Sequence, residues 1–170
     1  MPPQGDGKDH VDNVRGKWRN ARPELDTSPA GVVARVGRLA SFFDLSTNAL
    51  MAEYGLTRSS WDILASLRRE GPPYELTPSE LYRALMRSSG WMTNRLHELE
   101  DAGLIVRRPD PADGRGVIVK LTREGVRLVD RIIERHLANE DQLLRALPKA
   151  DRERLAGLLR ELLRDHEQRG

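Results

Sequence analysis

Gly90, Thr93, Asn94 and His97 share one side of a short stretch whose other side is apolar. With residues 89–102 wound as a helix of about 3.6 residues per turn, Met92, Leu96 and Leu99 define a buried face. Gly90, Asn94, His97 and Asp101 then point away from it, with Thr93 on one flank and Trp91 and Arg95 on the other. A carboxamide such as Asn94 can bond an adenine edge in bidentate fashion, and a threonine methyl can contact a thymine methyl. The backbone N–H groups behind Ser88 and Ser89 can hold a phosphate. Arg115, flanked by Gly114 and Gly116, can enter a minor groove, the glycines letting the backbone approach. Together these groups have the chemistry to read double-stranded DNA. Taken alone, Asn94 and His97 are equally an ordinary solvated face, so the surrounding elements decide.

Residues 76–121 supply that context. Thr77-Pro78-Ser79-Glu80 has the form of a capping box with proline at the first helical position. Ser88 or Ser89 caps the next helix and Gly103 closes it. Residues 104–108 and 117–121 alternate like strands around a Pro/Asp/Gly turn, after a short strand at 74–76. A helix, a turn, a second helix and a basic-tipped hairpin make a winged helix-turn-helix, which puts one helix in a major groove and the hairpin beside it.

Helices flank this module. Residues 1–27 combine a Pro/Gly-rich tail, expected to be disordered, with a short helix carrying Val11, Val14 and Trp18. Residues 28–56 open with Ser28 as N-cap before Pro29 and carry Val32, Val36, Leu39, Phe43 and Leu50 down to Gly55. Thr57 or Ser59 caps a helix with Trp61, Leu64, Ala65 and Leu67, so the DNA-binding region spans 57–121. In residues 122–170, Thr122 caps a long helix bearing Val126, Val129, Ile133, Leu137, Leu144 and Leu147 up to Pro148, and a last helix carries Leu155, Leu158, Leu159, Leu162 and Leu163. The fold class is mainly α with a small β-wing, in one compact domain. Apolar stripes this long need a partner surface, and a second copy of the chain is the expected partner, with an intrachain bundle as the alternative.

Composition narrows the function classes. Charged residues make up 32% of the 170, yet the net charge is only +2, with the two signs interleaved. The absence of cysteine excludes disulfides, thiol redox sensing and Cys-based zinc sites. The four histidines are scattered, and there is no Gly-rich phosphate loop or nucleophile–base motif, so neither an enzyme nor a cofactor is expected. No apolar run approaches the roughly 20 residues of a membrane span, and a soluble, cytoplasmic protein is expected.

The pattern L-T-P-S-E-L…S-S-G-x-M-T-N-R-L…L-E-D-A-G-L-I-x-R-R-x-D-P-x-D-x-R…V-x-L-T resembles the MarR family of winged-helix regulators over residues 56–121. That resemblance implies a homodimer, pinned by its N- and C-terminal helices, on a palindromic DNA operator, with repression relieved by a small ligand. Gly114 and Gly116 depart from wings that often carry Arg and Ser there, and Trp91 replaces a usually small residue. Trp91 can pack beside Arg95 as a cation–π neighbour or abut DNA.

The extra N-terminal helix with its tryptophan resembles the urate-responsive branch of the family. The resemblance implies that Trp18, Asp62, Arg95 and Arg107 bind the ligand, with adjacent Arg108 able to take the place of Arg107. A planar purine anion suits a flat aromatic face and paired guanidinium donors, while the Asp62 carboxylate accepts from a ring N–H and repels the ligand's charge. A ligand pulling on Arg95 and Arg107 would reorient reader helix and wing together. Another purine, an aromatic acid or a tricarboxylate could use the same groups. Each also has a plainer role: Trp18 as an apolar staple, Asp62 as a charge near its helix N-terminus, Arg95 and Arg107 as phosphate contacts. The remaining alternative is a constitutive winged-helix module that senses nothing.

Overall fold

The computed structural model describes residues 7–86, 89–111 and 116–169, with the side chains of Ser89 and Trp91 outside that description. Ser88 and Arg115, assigned to DNA above, lie outside the described residues. The described residues form seven helices and three short strands, divided between two units, Met1–Ser46 and Thr47–Gly170. The mainly α architecture with a small wing is therefore as expected.

In the first unit, α1 (His10–Ala21) starts with a reciprocal capping box in which Asp9 accepts from the Asp12 amide and Asp12 accepts from the Asp9 amide. Arg35, on α2 (Ser28–Ala52), bonds both carboxylates, at 2.7 Å to Asp9 and 2.7 Å to Asp12, and so clamps α1 to α2. These bonds hold the Asp9 carboxyl at about 2. One expectation needs correcting. Ser28 is the first residue inside α2 rather than its N-cap, and Asp26 accepts from both its amide and its hydroxyl, each at 2.8 Å. An ionised carboxylate is a strong acceptor, and here it holds both donors of Ser28.

In the second unit, Thr57 caps α3 (Arg58–Arg69) and Thr77 caps α4 (Pro78–Leu85), each accepting from the amide three residues on. Glu80 completes the box by accepting from the Thr77 amide at 2.7 Å. Met86 closes α4 in the left-handed region, at φ +50°. After α5 (Ser89–Asp101), strands β2 (Ile105–Pro109) and β3 (Val117–Leu121) form the wing. Strand β1 (Glu75–Leu76) adds to the far side of β3, giving the antiparallel order β1-β3-β2.

The core lies where α3, α4, α5, the sheet and α6 (Arg123–Leu143) meet. Ile63, Leu64, Leu67, Leu81, Met92, Val119 and Ile132 are each 0% exposed. Full burial of such a side chain contributes about 1.5–3 kcal/mol. On α6, Val129 and Ile132 are buried and Ile133 only partly so, because the helix turns its Gly125 flank inward. That flank touches the start of the wing: a Cβ on Gly125 would lie 2.2 Å from the Leu104 carbonyl oxygen.

Several boundaries differ from the sequence expectation, among them the start of β1, both ends of β2 and the end of α6. Strand β2 starts and ends one residue later than expected, and at its start the Leu104 amide donates back to the Leu99 carbonyl of α5 at 3.0 Å instead of to β3. Helix α6 stops at Leu143, and Leu144 and Leu147 belong to a turn closed by Leu147 N–H donating to Leu144 C=O at 2.9 Å. No described residue of α7 (Lys149–Arg169) is buried, and Leu158, Leu162 and Leu163 are more than half exposed. In the first unit, Val32, Val33 and Phe42 of α2 are more than half exposed as well. Among the described residues no helix is long and apolar enough to cross a membrane.

Candidate nucleic-acid interface

The rotation of α5 is fixed by its apolar side. Met92, Leu96 and Leu99 are 0%, 3% and 2% exposed, and that burial turns Gly90, Thr93, Asn94 and His97 outward, where all four are exposed. The side chains read as a base-facing set thus share one open face. Ser89 is the first residue of α5.

Arg107, on β2, reaches back to the C-terminal half of α5. Its amide donates to Glu100 Oε1 at 2.9 Å, its Nε to Glu100 Oε2 at 2.8 Å, and its Nη2 lies 2.9 Å from His97 Nδ1. The Arg107 side chain, through these hydrogen bonds, holds the Glu100 carboxyl below its usual range. Arg108 points to the opposite side of the strand and bonds Glu75 of β1 at 2.9 Å, with Lys120 Nζ 3.7 Å from the same carboxylate. The strand alternation left open by the sequence therefore resolves with Arg107 toward α5 and Arg108 toward β1.

Of the four residues matched to the urate-responsive branch, Trp18 stands in the first unit, on α1, with 52% exposure. The other three stand in the second unit, each with its own neighbour of opposite charge. Asp62 lies 3.6 Å from Arg58, one helical turn back. Arg95, half-buried on the flank of α5, bonds Glu98, and Arg107 bonds Glu100. The structure unites Arg107 with His97, a ligand-assigned residue with a base-facing one.

Glu98 and Glu100 were missed by the sequence reading. The signal for Glu100 was present in L-E-D-A-G-L-I-V-R-R, where a helix-ending glycine folds β2 back beside the last turn of α5. Opposite charges flanking such a turn can meet across it.

A model described as the MarR family matches residues 54–116. The HTH-type transcriptional regulator PecS of Dickeya dadantii (strain 3937) is 37% identical over 149 residues, covering 88% of this chain and 90% of PecS. A solved mutant MarR from E. coli, complexed with operator DNA, superposes with a TM-score of 0.72 at 24% identity, covering 86% of this chain and 97% of that one. AbsC, a MarR family transcriptional regulator from Streptomyces coelicolor, gives a TM-score of 0.75 at 20% identity, covering 85% of this chain and 98% of AbsC. The two solved structures share the fold. The PecS likeness extends over most of the chain, well beyond the region that the family model matches. With it, and with an outward-facing reader helix tied to a wing, this chain belongs to the MarR family of transcriptional regulators and is not an enzyme.

Proposed function

We propose that this chain binds a double-stranded DNA operator as a homodimer and is released from it by a small anionic ligand, so that it acts as a repressor. Urate is the best match for that ligand. The observation that carries the DNA reading is the open face of α5, with Asn94, Thr93, Gly90 and His97 outward and the wing fastened to the same helix through Arg107. Helix α5 enters the major groove and the wing lies beside it. Residues 28–56 and 122–170 provide the dimer contacts. Supporting this, α7 buries no described residue of its own and leaves a leucine stripe exposed. Apolar surface of that extent is removed from water by a second copy.

Trp18, Asp62, Arg95 and Arg107 hold the ligand. Arg95 and Arg107 sit on reader helix and wing, so an anion drawing on both would change the presentation of both to DNA. Couplings of about 1–3 kcal/mol, or roughly 5–150-fold in affinity, suffice to empty an operator. The same groups suit another aromatic or polycarboxylate anion.

One observation favours a second reading. Arg95 and Arg107 already have carboxylate partners in Glu98 and Glu100, as they would in a constitutive DNA-binding module without a ligand. Footprinting on the DNA upstream of the chain's own gene, with and without urate, separates the readings. The proposal expects a two-fold symmetric footprint with half-sites about one helical turn apart, erased by ligand. A footprint that no anion erases supports the constitutive module, and an asymmetric one contradicts the homodimer.

A further inference from the structure

The base of the wing carries a cleft of about 470 Å³ that the proposed DNA and effector residues do not line. It lies between the turn before β1, the end of β3 and the first turns of α6. Tyr74, Leu121 and Val126 give it apolar walls, and Lys120, Arg123 and Arg127 place three cations around it. Its volume falls within the roughly 300–1,000 Å³ of ordinary small-molecule sites, which likewise combine apolar walls with a few polar groups.

The apolar side is held in place. Tyr74 has φ +62°, a conformation costly for a bulky residue and kept only where surrounding bonds over-determine it. Its amide donates to the Gly71 carbonyl at 2.6 Å and its carbonyl accepts the Leu121 amide at 3.1 Å. The Arg68 guanidinium lies over the ring at 5.0 Å and is itself held by Asp130 of α6 at 2.8 Å.

The charge around the cleft is not balanced. Glu75 serves both Arg108, at 2.9 Å, and Lys120, at 3.7 Å. Glu124 reaches Arg127 at 3.4 Å, with both side chains more than half exposed, and Arg123 has no carboxylate partner among the described residues. Every ionisable side chain in the cleft lining is either a cation or Tyr74.

We propose that this cleft is a second small-molecule site, independent of the Trp18/Asp62/Arg95/Arg107 reading, and that it takes a small aromatic carboxylate. The carboxylate engages Lys120 and the arginines of α6, and the ring packs against Tyr74, Leu121 and Val126. An inorganic anion would use the cations and leave the apolar walls wet. A DNA phosphate is a poor occupant by position. The hairpin pairs Ile105 with Leu121 at one end and Pro109 with Val117 at the other, so the cleft sits at the end away from the tip, about 13 Å along the strand. A ligand bridging Lys120 to Arg123 and Arg127 would tie β3 to α6 and fix the wing's angle.

Calorimetric titration of the full chain with benzoate, at fixed ionic strength, tests this. Benzoate is expected to bind saturably at one site per chain, with inorganic phosphate at least tenfold weaker. The paired substitution Arg123→Gln/Arg127→Gln, on two exposed side chains, is expected to weaken benzoate at least tenfold, while Trp18→Ala leaves it unchanged. Leu121→Ala, which strips an apolar wall, is expected to weaken benzoate without altering the weak phosphate response. Benzoate affinity indifferent to the paired substitution, or phosphate binding as tightly as benzoate, overturns the proposal. Loss of benzoate in Trp18→Ala alone also overturns it, by assigning the binding to the effector site.

Discussion

Arg107 and Glu100 join the wing to the reader helix: the Arg107 amide meets one carboxylate oxygen at 2.9 Å and its Nε meets the other at 2.8 Å. Backbone and side chain of one wing residue are thus satisfied by a single carboxylate on α5. Wing and α5 are consequently held in a fixed mutual orientation. Any anion that competes for Arg107 must displace Glu100 or share the guanidinium with it.

Glu100→Gln should loosen this clasp. Both side chains are only 25–33% exposed, and the variant is expected to lose about 1 kcal/mol of stability. Its pH dependence carries the sign. Arg107 holds the Glu100 carboxyl below the usual 4.5, so the interaction stabilises the fold fully above that pH and is lost as pH falls below it through the depressed value. Thermal unfolding of both proteins between pH 7 and pH 3 should show a constant gap at neutral pH that closes below about pH 4.5. A gap that persists unchanged at pH 3 would contradict the clasp.

Asn94→Ala should weaken operator binding with little effect on stability, because the side chain is exposed on α5. A bidentate amide–adenine pair is worth about 1–3 kcal/mol, so a loss of roughly 5–150-fold is expected, concentrated at one base position. Wild-type affinity in a titration of the variant against operator and point-substituted operators would mean that another face of α5 enters the groove.

Gly125→Ala tests how closely α6 seats on the wing. The added methyl would meet the Leu104 carbonyl oxygen at 2.2 Å, and this neighbour is backbone, which also accepts the Thr122 amide. Overpacking of this kind costs about 1–3 kcal/mol, which a denaturant melt reads as a lower midpoint at unchanged slope. A midpoint equal to wild type would show that α6 and Leu104 separate more readily than the packing implies.

Local chemistry made much of this fold legible in advance. The Thr57, Thr77 and Thr122 caps, the Glu80 return bond, and the Met92–Leu96–Leu99 face each follow from residues within a turn or two of one another. What the sequence hid depended on contacts across elements. The Arg107–Glu100 clasp needs the fold-back at Gly103, and the Arg35 clamp on Asp9 joins residues 26 positions apart. The bond from Ser28 to Asp26 was likewise not legible in the Ser28-Pro29 capping pattern. Helix α6 shows the limit of stripe counting, since an apolar spacing that continues to Leu147 does not hold the helix past Leu143.

Trp18→Ala and Arg95→Ala should each blunt release of DNA by the effector while leaving DNA affinity without effector within about threefold, a modest shift against couplings of roughly 5–150-fold. Trp18 is 52% exposed on α1, so its removal should cost little stability. Direct calorimetric titration with urate is the check: unchanged ligand affinity in Trp18→Ala would remove the tryptophan from the site.

The most direct test of the central claim is a mobility shift on the upstream intergenic DNA, titrated with urate against xanthine, salicylate and trans-aconitate at fixed salt and buffered pH. The account predicts a shift by the wild-type protein that urate reverses and that Asn94→Ala weakens. Tight binding reversed by none of the four compounds would contradict the ligand-responsive regulator and leave a constitutive DNA-binding module in its place.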